Sequence, residues 1–472
     1  MSKPHQFRVL EFYSGIGGMH YAFNESGHKG EILKAFDINT TANEVYAHNH
    51  GKQQLAQRNI EAVPVEFYDK QQADVWLMSP PCQPYTRTGN QEGSKDNRAK
   101  SFLYLMDILP KLQHPPNYIL LENVKGFEES DSRDLLVEAL TTNGYEFQEL
   151  LITPLQIGIP NSRMRYYCLA RKKDTVGGFV HPVSGTLIGY IPSIHPTSTT
   201  TSDRDHDGEE ENNKGNNKEL NERQGKDFVD TRKQGDLSGL STSIAKKQRT
   251  SLSTSIITKE SGSASNDDGS GSGNSSGNSS GNGSQGQKPD EDAILADPEL
   301  SLKVDTLESY IEFKDMDDER MKRYMIPDKT LLKYGWLFDI VKETTRRSCC
   351  FTKGYYHFVE STGSIFQMAT DKDTAAVFDE ALLLKAKPDS TTPDEDNARA
   401  LALLRSLGLR YFTENEVARL MGFPIMEGRF SFPVTTSLKQ RYRVLGNSIN
   451  VKVVSQLIQY LLTSKDSQDR NE

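Results

Sequence analysis

Cysteine is scarce in this chain: four occur in 472 residues (Cys82, Cys168, Cys349 and Cys350), with no CxxC or HExxH pattern beside them. That usage argues against a disulfide scaffold and offers no metal site. Long apolar runs are missing as well. No uninterrupted run exceeds about five residues, whereas a membrane span needs about 20. The first eight residues, MSKPHQFR, carry no apolar stretch of the kind a secretory signal requires. These absences point to a reducing compartment, cytoplasm or nucleus, with no membrane partner. A basic excess is absent too. The formal net charge is −9, which disfavours nonspecific coating of nucleic acid but leaves room for a local basic patch.

Apolar residues make up only 35% of the chain. The shortfall is concentrated between residues 200 and 289, where 11 of 90 residues are apolar. Outside that stretch the apolar share is about 40%, close to a globular norm. Residues 261–288 are almost entirely Gly, Ser and Asn, a composition that cannot offset the entropy of ordering. The expectation is a core of two or three domains' length, interrupted by a disordered insertion at about 197–290.

The first 180 residues alternate strand and helix patterns. Strands are expected at Arg8–Tyr13, Ile32–Phe36, Asp74–Met78, Tyr118–Leu121, Glu146–Ile152 and Arg165–Ala170. Helices are expected after Met19, after a cap at Thr40 or Thr41, over Ser101–Leu112 and from Asp131. Strands alternating with helices predict a doubly wound α/β fold on a mostly parallel sheet. Later, helix-like stretches run over Leu307–Phe313, Thr330–Val341, Asn397–Leu407 and Val451–Leu462.

Four motifs carry chemistry. Gly15, Gly17 and Gly18 lie between a strand and a helix, where glycine permits a tight turn and close approach of a ligand to the helix start. Asp37 ends the next strand, placed to accept ribose hydroxyls. A glycine turn without a ligand is the bland reading, and the spacing departs from the dinucleotide GxGxxG pattern. Ser79-Pro80-Pro81-Cys82-Gln83-Pro84 follows a parallel strand, at the edge where open α/β sheets place reactive groups. Its prolines stiffen the loop, which reads Cys82 as a nucleophile rather than a small buried apolar residue. Glu122, at another strand end, would share that cleft unless it is a solvated cap. Arg163 and Arg165 alternate into a strand and so face one side, suiting a phosphate or a base carbonyl, or simply an exposed face.

These motifs, in this order, resemble the cytosine-5 methyltransferase family, and the block Gly446-Asn447-Ser448-Ile449-Asn450 matches its last motif. The resemblance implies S-adenosyl-L-methionine as cofactor, held by Gly15, Ile16, Gly17, Gly18, Asp37, Ile60, Glu61, Ser79, Asn447 and Ser448. It implies Cys82 as the group that attacks C6 of cytosine and Glu122 as the group that engages N3, with Arg163 and Arg165 beside them. Cys350-Phe351-Thr352 looks like the signature of the tRNA branch, formerly grouped as type-2 DNA methyltransferases, whose members act on position 38 in the anticodon loop of aspartate tRNA. Arg346, Arg347, Cys350, Phe351, Thr352 and Lys353 are then the expected substrate contacts, with DNA as a weak second substrate. Flipping a base costs less in a loop than in a duplex, and basic residues interleaved with aromatic ones suit splayed bases. The bland reading of that segment is a half-buried strand pair.

The expected division is a catalytic domain over 1–182, a target-recognition region over 183–395 and a return segment over 396–472. A DNA cytosine-5 methyltransferase would use the same residues. A silent RNA-binding protein would have no evident need for Cys82, Glu122 and Arg163 together.

Overall fold

The computed structural model describes residues 5–81, 97–179, 187–192, 291, 298–316, 318–358, 360–385 and 392–463. Cys82 and the insertion lie outside them.

Among the described residues, eight strands form one sheet: β1 (Phe7–Phe12), β2 (Gly30–Phe36), β3 (Leu55–Ala56), β4 (Val75–Met78), β5 (Tyr118–Val124), β6 (Tyr145–Ile152), β7 (Arg165–Lys172) and β8 (Leu187–Ile188). Their order is β3-β2-β1-β4-β5-β7-β6-β8. All neighbours run parallel except β7, which is antiparallel to both β5 and β6. Period-two alternation divides the core between the two faces. Val9, Val75, Leu77, Leu120 and Leu169 point to one side with helices α1 (Gly18–Glu25) and α2 (Thr40–His50). Leu10, Phe12, Trp76, Met78, Ile119 and Leu121 point to the other, toward α3 (Val65–Gln71), α4 (Lys100–Ile108) and α5 (Asp131–Thr142). The chain leaves β1 for β2 on one side and reaches β4 on the other, so the C-terminal ends of β1 and β4 flank a topological switch point, where such sheets bind ligands.

Further along come α6 (Asp328–Tyr334), α7 (Thr374–Lys385), α8 (Pro393–Arg405), α9 (Glu414–Leu420), α10 (Leu438–Gly446) and α11 (Val451–Leu462). A three-stranded sheet joins β9 (Ile340–Val341), β10 (Ile365–Gln367) and β11 (Leu409–Tyr411) in the order β11-β10-β9. Strand pairing crosses both expected domain boundaries, because β8 lies past residue 182 and β11 past residue 395. Helix α11 returns to the large sheet beside α1. On β7, the buried Arg171 donates to the carbonyls of Leu461 and Thr463 at the C-terminal end of α11, the favourable end for a cation.

Three local expectations need correction. Asn39, not Thr40 or Thr41, caps α2 by accepting from Ala42 N. The stretch Thr330–Val341 is no single helix: α6 stops at Gly335 and the chain re-emerges as β9. Leu307–Phe313 forms only a 3-10 turn, Leu307–Tyr310.

Between β11 and α9, Arg410 makes a two-pronged ion pair with Glu416 at 2.8 and 2.9 Å, both side chains 0% exposed. Glu416 also accepts from the backbone N–H groups of Glu312 and Thr413. Removing one partner leaves a buried charge uncompensated. Arg410→Ala is expected to lower unfolding free energy by about 3–5 kcal/mol in urea titration; a loss under about 1 kcal/mol would mean that water reaches Glu416.

Candidate active site

The glycine turn is built for close approach. Gly15 and Gly17 have φ of +52° and +84°, values in which only glycine is unstrained. A Cβ on Gly17 would sit 2.5 Å from His50 Nε2, and one on Gly18 would sit 2.7 Å from Ile449 Cγ1 and 3.0 Å from Ser448 Oγ. The last sequence block therefore packs directly on the turn, with Ser448 half-buried there and Asn447 exposed. Asp37 accepts from Gly15 N at 2.8 Å and from Asn39 N at 2.7 Å. Burial raises its carboxyl above the ordinary range. Ser79 donates through Oγ to Tyr13 O and through its N–H to Phe12 O, tying the ends of β4 and β1 together. Ile60 lies buried in the core cluster that holds Phe12 and Phe36, and Glu61 is exposed beside it.

Beneath the turn, Glu11 is fully buried, and burial pushes it up to about 8. It accepts from His20 N and lies near Tyr46, whose hydroxyl meets His20 Nδ1 at 2.8 Å. His20 stacks on His50 at 3.9 Å. Glu11 Oε2, Ser14 Oγ, Asn43 Oδ1 and His50 Nε2 are buried with no hydrogen-bond partner among the described residues. Buried polar atoms are normally satisfied. Such a set around a glycine cradle, with Asp37 at its rim, fits a polar ligand that carries both hydrogen-bond donors and acceptors, as S-adenosylmethionine does. Glu11 escaped notice in the sequence, although a carboxylate inside the apolar strand FRVLEF was a usable signal, since such groups are buried only for a reason.

The second cluster lies along the ends of β5 and β7. Glu122 is 7% exposed, with Oε1 at 3.5 Å from Arg165 Nε. Burial raises its carboxyl, while Arg165 and Arg163 pull it back. The next residue, Asn123, donates through Nδ2 to Pro80 O at 3.3 Å, so the start of the proline loop that leads to Cys82 is tied to the strand end that carries Glu122. Arg163 is buried and donates to Cys350 Sγ at 3.3 Å, to Phe351 O at 3.4 Å, to Gly446 O at 3.5 Å and to Ser448 O. Arg165 reaches the same sulfur at 3.8 Å. Both arginines thus share one face, as their spacing implied, and their guanidinium groups are tied to the protein itself.

The Cys-Phe-Thr segment is fixed on the other side by Gly446. A Cβ there would lie 2.2 Å from Thr352 C and from Lys353 N. Gly446→Ala is expected to cost about 1–3 kcal/mol and to weaken S-adenosylhomocysteine binding, because Ser448 moves with it; unchanged thermal unfolding and unchanged affinity would contradict that contact.

The expected substrate contacts divide. Arg346 donates to Val304 O and Arg347 pairs with Asp339 at 2.7 Å, so both face partners within the chain. Phe351 is buried among Tyr355 and Phe412, and Cys350 and Thr352 are half-buried. Lys353 is exposed, with His357 and with Phe358 at 62% exposure. The segment is neither strand nor helix but a series of turns. Among the described residues no group of three or more His, Cys, Asp or Glu could hold a metal ion, and no helix is long and apolar enough to cross a membrane.

Residues 7–463 match the family described as C-5 cytosine-specific DNA methylase. A Rattus norvegicus protein named tRNA (cytosine(38)-C(5))-methyltransferase is 39% identical over 454 residues, 96% of this chain and 98% of that one. A Dictyostelium discoideum protein named DNA (cytosine-5)-methyltransferase is 33% identical, covering 98% of this chain and 96% of its own. Among solved structures, Spodoptera frugiperda DNMT2 aligns with a TM-score of 0.63 at 33% identity, over 97% of this chain and all of that one. The chain belongs to the C-5 cytosine methyltransferase family.

Proposed function

We propose that this protein transfers a methyl group from S-adenosylmethionine to C5 of cytosine 38 in the anticodon loop of aspartate tRNA, through a covalent adduct with Cys82. The observation that carries the reading is the buried Glu122, beside Arg165 and bound through Asn123 to the loop that leads to Cys82. The names of the full-length relatives support tRNA as substrate.

The residues divide the work. Cys82 as thiolate forms a bond to C6 of the cytosine ring. A free thiol has a pKa of about 8.5, so Cys82 needs help to ionise near pH 7. Glu122 gives its proton to N3, so that the electrons moved by the attack on C6 build up at C5. When bound, the cofactor supplies an electrophilic methyl group on a sulfonium. Once C5 carries the methyl, a base removes the C5 proton, the C6–sulfur bond breaks, Cys82 leaves as thiolate and N3 returns its proton to Glu122. Gly15, Gly17, Gly18, Ser14 and Asp37 would hold the cofactor, with Ser448 and Asn447 closing the turn and Ser79, Ile16, Ile60 and Glu61 at its edge. On the RNA side, Lys353, His357 and Phe358 are the exposed groups of the Cys-Phe-Thr segment. Burial of Phe351 and Tyr355 and the internal pairing of Arg346 and Arg347 make those four a support for that surface.

Purified aspartate tRNA should accept methyl groups, and the same tRNA with uridine at position 38 should not. Equal labelling of both would overturn the site assignment. Deletion of residues 200–289 should spare this activity if the insertion is a passive linker. Lost tRNA affinity in the deletion would give the insertion a part in binding.

A further inference from the structure

We propose that Cys350 is the counter-charge of the Arg163–Arg165 pair, and that its sulfur allows Glu122 to hold the proton its role requires. The inference rests on Glu122 acting as proton donor.

The geometry is a relay of charges in one half-buried pocket. Cys350 Sγ lies 3.3 Å from Arg163 Nη1 and 3.8 Å from Arg165 Nη2, and Arg165 Nε lies 3.5 Å from Glu122 Oε1. Arg165 is therefore shared by two acids. Two guanidinium groups beside a carboxyl would ordinarily keep it ionised, lowering its pKa by about 1–3 units. Glu122 nonetheless moves upward, because burial prevails over the arginines. Cys350 moves the opposite way. Burial pushes its thiol up, but Arg163 and Arg165 outweigh burial and leave it below its ordinary value. Its neighbour Cys349, half-buried beside Asp339, is pushed up to about 11. Adjacent thiols in one segment thus have opposite acid strengths, and the difference lies in the two arginines.

Charge counting gives the consequence. The pocket holds two fixed positive charges and two acids that titrate as a coupled pair. With Cys350 ionised, one positive charge is already offset, and Glu122 keeps its proton at little cost. With the sulfur gone, both positive charges act on Glu122 and favour its carboxylate. The other groups that face the pair do not supply that offset. Tyr167, opposite Glu122 on β7, is driven far toward its neutral form by burial. Glu291 also acts on Arg165, but it is engaged with Thr153 Oγ1 at 2.6 Å and acts on Lys125 as well.

The sulfur is held in place from both sides. Asn161 Nδ2 donates to Ser348 Oγ and Cys349 O, each at 3.1 Å, Ser348 Oγ donates to Pro160 O at 2.7 Å, and Ser162 N donates to Ser348 O at 2.8 Å. Opposite them, Cys349 N donates to Ser364 Oγ at 2.7 Å. Cys350 is thus a positioning residue, acting on the reaction through Arg165.

The test compares Cys350→Ser with Cys350→Asp in the full chain, measuring kcat and KM for tRNA across pH. Cys350→Ser should move the alkaline limb of kcat down by about one pH unit, with KM for tRNA little changed, and Cys350→Asp should restore the limb. Thiolate absorbance of the parent minus that of Cys350→Ser should titrate with a midpoint below about 8.5. A Ser variant slowed equally at every pH, an Asp variant no better than Ser, or a thiol midpoint above that value would overturn the proposal. Glu122→Gln distinguishes the two failures: full activity in that variant sinks the proton-donor reading itself, whereas an inactive Glu122→Gln beside an unshifted Cys350→Ser profile sinks only the role of the sulfur.

Discussion

Cys82→Ala is expected to abolish methyl transfer, with a loss on the order of 10⁴-fold or more, while S-adenosylhomocysteine still binds with unchanged affinity. The size of the loss follows from what the thiol contributes. Cytosine C5 is a poor nucleophile, and it becomes a good one only when a group adds at C6 and pushes electrons toward it. Alanine has no atom that can add. Cofactor affinity should survive because the glycine turn, Asp37 and Ser448 lie on the ends of β1 and β2 and on the last block, where they hold one another. Comparing the two readouts separates loss of the nucleophile from loss of the fold. Appreciable methylation by the variant would contradict the covalent route.

Glu122→Gln should have the next largest effect, lowering kcat by about 10²–10⁴ with a small change in KM. Glutamine keeps the shape and can still hydrogen-bond to N3, but it has no proton to give, and Arg165 loses its partner across 3.5 Å. The pH dependence has a definite sign. Burial raises Glu122, so its proton-bearing form persists to higher pH than in a free glutamate. The parent enzyme should therefore lose rate as pH rises through the folded-state value, on top of the gain from ionising Cys82. The residual rate of Glu122→Gln should lack that falling limb. A variant that keeps both the limb and the rate would remove Glu122 from the proton transfer.

Much of the fold was readable in the residues, for a physical reason. Short apolar runs ending at Asp37, Ser79 and Glu122 are buried strands, and their C-terminal ends in a parallel sheet must come together, so the grouping of three motifs followed from fold class alone. Helix α11 was legible from Val451 to Leu462 because its apolar spacing is strict and nearly its whole length is buried. Helix α7 was not, since TAAVFDEALLLK places apolar residues on every face and leaves Leu383 exposed. The reversed direction of β7 was hidden too, as a buried strand reads the same way in either orientation.

The site was legible in its chemistry and less so in its pairings. Arg163, Arg165 and Cys350 were each singled out, but nothing in linear order says that the two arginines converge on the Cys350 sulfur, 187 residues away from Arg163. Arg346 and Arg347 were legible as cations but not in what they pair with, for the same reason. Their partners, Val304 O and Asp339, lie elsewhere in the chain, and a half-buried cation takes whatever acceptor the fold brings to it. Ser348 and Asn161 look like ordinary loop residues until their hydrogen bonds are seen.

The most direct measurement is methyl transfer from labelled S-adenosylmethionine to total tRNA and to duplex DNA, side by side, with bisulfite mapping of the tRNA product. The account predicts label in tRNA at a single anticodon-loop cytosine, with little in DNA. Label entering duplex DNA while tRNA stays unmodified would contradict it.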